Sequence, residues 1–301
     1  MEERKKQSKL LKSQDTSELQ ALIRLLDDPD EKVFSNVSQR LKNYGTEIIP
    51  ELEGAWETQY EPEIQSRIED IIHSIQFSEV FQDFIDYLET DPENLLKGAI
   101  LVARYRYPDT DEAELLGQIE KIRRAVWLEL NYDLTPFEQI NVINRVFFGF
   151  FGFKAEYYSQ FDPKAFFLPQ VLEAKRGSSL IVSILYMIVA QELDIPIYGV
   201  HIPMNFSIAY CHDFIEHFAP EDDYRMQVQF YINPLNKGQV FSENEIGDYL
   251  KKMRIPNDES FFKPIDNKHC IKLLLADLKK TFEADKAYPR IEEITMLMRL
   301  F

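Results

Sequence analysis

The stretch that most constrains this chain runs from Arg176 to Leu193, RGSSLIVSILYMIVAQEL. From Leu180 to Ala190 every residue but Ser183 is apolar or tyrosine, so no polar face survives over three turns. A helix apolar all round is buried on every side, in a large core or in a membrane. The apolar run is about 11 residues, against the roughly 20 that a membrane span needs. It therefore reads as the central helix of a water-soluble domain, with Leu180, Ile181, Ile184, Leu185, Ile188 and Val189 in the core. Gly177, Ser178 and Ser179 precede it, and a serine just before an apolar run is an N-cap signal. Asp194-Ile195-Pro196 ends it, and Ile197–Ile202 reads as a strand.

The remaining pattern divides the chain. Apolar stripes at helical spacing occur over Thr16–Asp28, Val33–Leu41, Ile49–Trp56 and Ile64–Ile75. Val33, Val37 and Leu41 recur as Ile64, Ile68 and Ile72, an offset of 31 residues, and each set follows an acidic-proline break. That offset suggests two degenerate HEAT-type hairpins, although an unrelated four-helix cap fits nearly as well. Two copies make a poor free-standing solenoid, so they are expected to pack on the main domain. Val80–Leu88, Leu95–Tyr105 and Leu115–Leu130 continue the helical pattern. Phe147–Phe153 (FFGFFGF), Asp162-Pro163 and Pro169 read as a turn-rich passage. Beyond the central helix, Tyr198–Ile202, Phe206–Tyr210, Met226–Ile232 and Gln239–Phe241 are short strand candidates. Helical patterns then return at Ile246–Met253, Lys268–Phe282 and Ile291–Leu300.

The net charge is −17; the first 14 residues hold five basic and two acidic side chains, so the rest bears about −20. Such a field repels phosphate backbones, and nucleic acid is not an expected partner. The basic start, residues 1–15, reads as a disordered tail. It has no apolar core like that of a signal peptide, and no membrane span is expected. Cys211 and Cys270 lie about 60 residues apart without metal spacing, which fits a reducing cytoplasm.

The order of Arg-Gly, small polar residues, buried helix, Leu-Asp-Ile-Pro turn and strand resembles the papain-like transglutaminase core. The closer likeness is to the SirB-type transglutaminase-like family of bacterial proteins, from about Asp91 to the C-terminus. It rests on FFGFFGF, YYSQFDPKAFFLPQVL (Tyr157–Leu172), the central helix, PMNF (Pro203–Phe206) and YINPLNKGQV (Tyr231–Val240). The resemblance implies an α+β fold: a mostly helical chain whose papain-like core holds a small antiparallel sheet. It further implies a core over 91–242 and tetratricopeptide-like helices over 243–301, behind the HEAT-like region 16–90.

In an active relative, a cysteine thiolate at the helix N-terminus is the nucleophile, a histidine takes its proton, and an aspartate orients the histidine. By the same resemblance the cysteine position falls on Ser179. The histidine of Pro-Gly-His-Phe falls on Asn205, and the aspartate of Asp-Pro-Phe on Asn233. None of these three titrates near neutrality, and without a base a serine hydroxyl is a poor nucleophile. The expectation is a degenerate cleft in a non-catalytic protein that binds a peptide or protein partner, with no cofactor and no metal. Arg176, Ser178, Ser179, Asn205 and Asn233 are the candidates for lining it. Blander roles stand beside this: Ser179 as a helix cap, Asn205 and Asn233 as turn residues, Arg176 in a structural ion pair. The rival is a hydrolase or acyl transferase that uses Ser179 or Cys211. His201, Cys211, His212 and His217 cluster in sequence without the spacing of a metal motif.

Overall fold

The computed structural model describes residues 18–156, 163–215, 218 and 223–301. The basic tail, Tyr157–Asp162 of the YYSQFDP motif, His217, Glu221 and Asp222 lie outside them. The chain forms two compact units, Met1–Asp83 and Phe84–Phe301.

The first unit holds α1 (residues 18–24), α2 (Glu31–Lys42), α3 (Ile49–Thr58) and most of α4 (Pro62–Thr90). Asp30 starts α2 by accepting the Lys32 amide, and Pro62 opens α4, a position where its missing N–H is not needed. Val37, Leu41, Ile64 and Ile68 are buried in one apolar cluster, with Val33 and Ile72 against it. The periodic pattern at Ile64–Ile75 does not stop there, and α4 continues unbroken through Val80–Leu88.

The second unit continues with α5 (Leu95–Arg106), α6 (Glu112–Trp127) and α7 (Pro136–Asn144). Asn94, Asp111 and Thr135 cap them, and Glu138 completes a capping box with Thr135. β1 (Lys154–Glu156), α8 (Leu168–Ala174), β2 (Arg176–Ser178) and the central helix α9 (Ser179–Gln191) follow. Next come β3 (Ile197–Ile202), β4 (Asn205–Cys211), α10 (Tyr224–Gln227), β5 (Val228–Asn233) and β6 (Gln239–Phe241). Three helices end the chain: α11 (Glu243–Met253), α12 (Asn267–Ala284) and α13 (Tyr288–Met298). The fold is α+β and mostly helical, with a four-stranded antiparallel sheet in the order β3-β4-β5-β6.

α9 is buried as its pattern demands: residues 180–190 are all inaccessible, and the helix packs against β3 and β4. Three local readings change. Met226 and Gln227 belong to the helical turn α10 rather than to a strand, because Asp223 accepts the Arg225 amide and starts a turn there. The FFGFFGF passage is not all turn: Arg145–Phe150 is a π-helical segment. Its wider winding lets the adjacent rings of Phe147 and Phe148 both meet Tyr186 of α9. The Arg-Gly segment is a strand, β2, paired in parallel with β1.

Candidate functional site

Two places carry the candidate residues: the start of α9 and one end of the antiparallel sheet. At the first, Gly177 is fixed by space. A Cβ there would lie 2.5 Å from Val171 Cγ2 and 3.2 Å from the Ala165 carbonyl oxygen. The helix cap is Ser178, whose buried Oγ accepts the Ile181 amide at 3.4 Å. Ser179 is the first helical residue, half-buried, and its carbonyl accepts the Ser183 hydroxyl at 2.5 Å. The capping role suggested for Ser179 thus belongs to its neighbour. Arg176 is exposed, and its cross-strand neighbour on β1 is Lys154, a like charge rather than an ion-pair partner.

At the second place, β3 turns into β4 through Pro203 and Met204, which leaves Ile202 opposite Asn205. Met204 closes this turn at φ +62°, the left-handed region that glycine favours. Alternation along β4 puts Asn205, Ser207, Ala209 and Cys211 on one face. Ala209 and Cys211 pack there with Val200 and Ile202 of β3 and with Ile246 and Leu250 of α11. The other face meets α7 and α12: Tyr210 Oη donates to Gln139, and Gly199 lies against Cys270. Asn205 Oδ1 and Ser207 Oγ are buried without a hydrogen-bond partner among the described residues. An unmet buried polar atom costs about 1–3 kcal/mol, so each such atom calls for an explanation.

Asn233 ends β5 on the same face as Asn205. Its Oδ1 accepts the Leu235 amide at 3.1 Å and its carbonyl accepts the Gly238 amide at 2.9 Å, so it does serve as a turn residue. It also shares a pocket of about 180 Å³ with Asn205. The other polar side chains there are Gln239, Glu245 and Tyr249; Ile202, Phe241 and Ile246 supply the apolar wall. Tyr249 Oη donates to the Pro203 carbonyl at 3.0 Å, which holds α11 over the β3–β4 turn. Glu245 Oε2 accepts from both the amide and the hydroxyl of Ser242, closing the capping box of α11.

The structure therefore brings Asn205 and Asn233 together. Arg176, Ser178 and Ser179 do not line their pocket, although α9 packs against the turn Pro234–Asn236 that Asn233 opens. Gln239, Glu245 and Tyr249 were not singled out from the sequence. The Ser242-x-x-Glu245 capping box was a readable signal for one of them. The pocket itself exists only because α11 folds back over the sheet.

Cys211 is fully buried, and burial pushes its thiol up to about 12. Such a group carries little thiolate at neutral pH. His201 and His212 are exposed, and no cluster of three metal-binding side chains occurs among the described residues. Within the described residues no helix is long and apolar enough to cross a membrane.

Comparison with known proteins agrees with this architecture. The chain is 28% identical over 188 residues to the UPF0162 protein YchA of Escherichia coli K12, covering 62% of this chain and 65% of YchA. It is 25% identical over 173 residues to a UPF0162 protein of Xylella fastidiosa strain 9a5c, covering 55% and 56% of the two chains. It thus spans a little under two thirds of one relative and just over half of the other. No solved structure matches the chain. The family model described as the transglutaminase-like superfamily matches residues 113–276, more than half the chain and the whole of the sheet described above, and the chain belongs to that superfamily.

Proposed function

We propose that this is a non-catalytic member of the superfamily, a cytoplasmic interaction or regulatory protein whose pocket holds part of a peptide or protein partner. The observation that carries this reading is the pocket shared by Asn205 and Asn233, which contains no histidine, cysteine or lysine among its lining residues. An asparagine can donate and accept hydrogen bonds but cannot take a proton from a nucleophile at pH 7. The orphaned Asn205 Oδ1 supports ligand binding, since a bound donor would satisfy it.

The finer kinship belongs to the same proposal. SirB-type membership rests on the motif order from FFGFFGF to YINPLNKGQV. HEAT-type hairpins rest on the 31-residue offset, and a tetratricopeptide-like tail on the pair α12–α13.

The test pairs binding with turnover. A partner retained by the wild-type chain and lost with Ile246→Trp, which fills the pocket, supports the proposal, provided the wild type hydrolyses no amide or ester. Hydrolysis that disappears in Ser179→Ala, or stoichiometric labelling of native Cys211 by a thiol reagent, favours the hydrolase or acyl-transferase reading and overturns it.

A further inference from the structure

We infer that the pocket takes a cationic side chain, lysine or arginine, from a basic segment of a partner protein. The inference rests on the reading of this pocket as a binding site. Size is the first argument. At about 180 Å³ the pocket is smaller than the roughly 300–1,000 Å³ of sites that enclose a whole small molecule, and it suits one side chain presented by a chain outside.

The lining supplies the second argument. It contains one carboxylate and no cation, so an anion would enter against Glu245 without a counter-charge. Its uncommitted polar atoms are the Glu245 and Asn205 oxygens and the amide nitrogens of Asn233 and Gln239, and only Glu245 carries a charge. Glu245 uses Oε2 for its cap and leaves Oε1 free. Asn205 Oδ1 has no donor, and a half-turn of the carboxamide exchanges it with Nδ2, so its oxygen can face an incoming group. An ammonium or guanidinium brings three to five N–H donors and no acceptor. Ile202, Phe241 and Ile246 would cover its methylene stem, as apolar walls do for long basic side chains.

The third argument is the field of the molecule. At −17 the chain attracts basic segments and repels acidic ones, which raises the encounter rate with the partner class that the pocket fits.

The experiment titrates the full chain with Gly-Ser octapeptides carrying one central Lys, Arg, Gln, norleucine or Glu, read by the side-chain amide NMR signals of Asn205, Asn233 and Gln239. The Lys or Arg peptide should shift these signals, and the norleucine and Glu peptides should not. Glu245→Gln keeps the capping hydrogen bonds but removes the charge, and should weaken binding about tenfold. Asn205→Asp should tighten it, and Asn205→Leu should abolish it. Thermal unfolding of each variant confirms that it is folded. If the Gln peptide binds as tightly as the Lys peptide, the cationic class is wrong while the binding site stands. Equal binding by wild type, Glu245→Gln and Asn205→Leu would mean that the general negative field holds the peptide, which overturns the inference. If no peptide binds and Ile246→Trp leaves partner capture unchanged, the inference and the proposed function both fall.

Discussion

Met204 adopts a left-handed backbone conformation with its side chain 73% exposed, so it accepts the strain without packing in return. A side chain in that region costs about 1–2 kcal/mol, part of which glycine's extra unfolded-state entropy offsets. Met204→Gly should therefore raise stability by up to about 1 kcal/mol, measured by urea denaturation. The resemblance to Pro-Gly-His-Phe places glycine at this position, and the geometry gives the reason. The opposite case is Leu185, fully buried in α9. Leu185→Ala removes buried methyl groups and leaves a cavity, and should destabilise by about 2–5 kcal/mol. A loss below about 1 kcal/mol would contradict the central position of this helix.

At the scale of elements, Asn144 ties three of them together. Tyr186 of α9 donates its hydroxyl to Asn144 Oδ1 at 3.0 Å, and Asn144 Nδ2 donates to the Gly238 carbonyl at 2.7 Å. The end of α7, the middle of α9 and the β5–β6 turn are thus held by one carboxamide. Gly238 sits at φ +75°, and a Cβ there would lie 1.9 Å from Asn144 Oδ1. Gly238→Ala should lower the urea midpoint by the equivalent of about 2 kcal/mol or more, because it strains the backbone and displaces a side chain that makes two partly buried hydrogen bonds. None of this clamp was legible in the sequence, since Asn144, Tyr186 and Gly238 carry no common local signal. What could be read was the repeating kind of information: the all-round apolar run of α9, the helical stripes, and the alternation and β-branched or aromatic runs that mark β3–β6. β1 and β2 escaped because Lys-Ala-Glu and Arg-Gly-Ser are too short for a period-two pattern and hold no β-branched or aromatic residue, whereas the equally short β6 carries Val240 and Phe241. The same distinction governs the pocket. Asn205 and Asn233 were named through a motif, whereas Glu245 and Tyr249 reach it through a long-range fold of α11.

Over the whole second unit, the buried ionisable groups are mostly neutral acids of high intrinsic pKa, and this sets a stability limit on the alkaline side. Burial raises the Cys211 thiol from its ordinary 9.0 to about 12 and raises Cys270 further still. It also raises the buried phenols of Tyr87, Tyr105, Tyr186 and Tyr231 above their ordinary 10.0. The sign follows from proton counting. Below about pH 8 both folded and unfolded chains hold these protons, so stability does not depend on them. Above it the unfolded chain releases protons that the folded chain keeps, and unfolding becomes more favourable. Each group whose unfolded form has ionised while its folded form has not adds about 1.4 kcal/mol of destabilisation per pH unit. Denaturant-derived stability should therefore show no contribution from these groups between pH 7 and about pH 8 and should fall with increasing slope from there to pH 12. Tyrosinate absorbance of the buried phenols should rise together with loss of helical circular dichroism, and Cys211→Ala should make the fall with pH shallower. If phenolate absorbance from these tyrosines developed fully in a chain that kept its helical signal, the rings would be reaching solvent in the folded state. The packed interface of α7, α9 and the sheet described here would then be wrong.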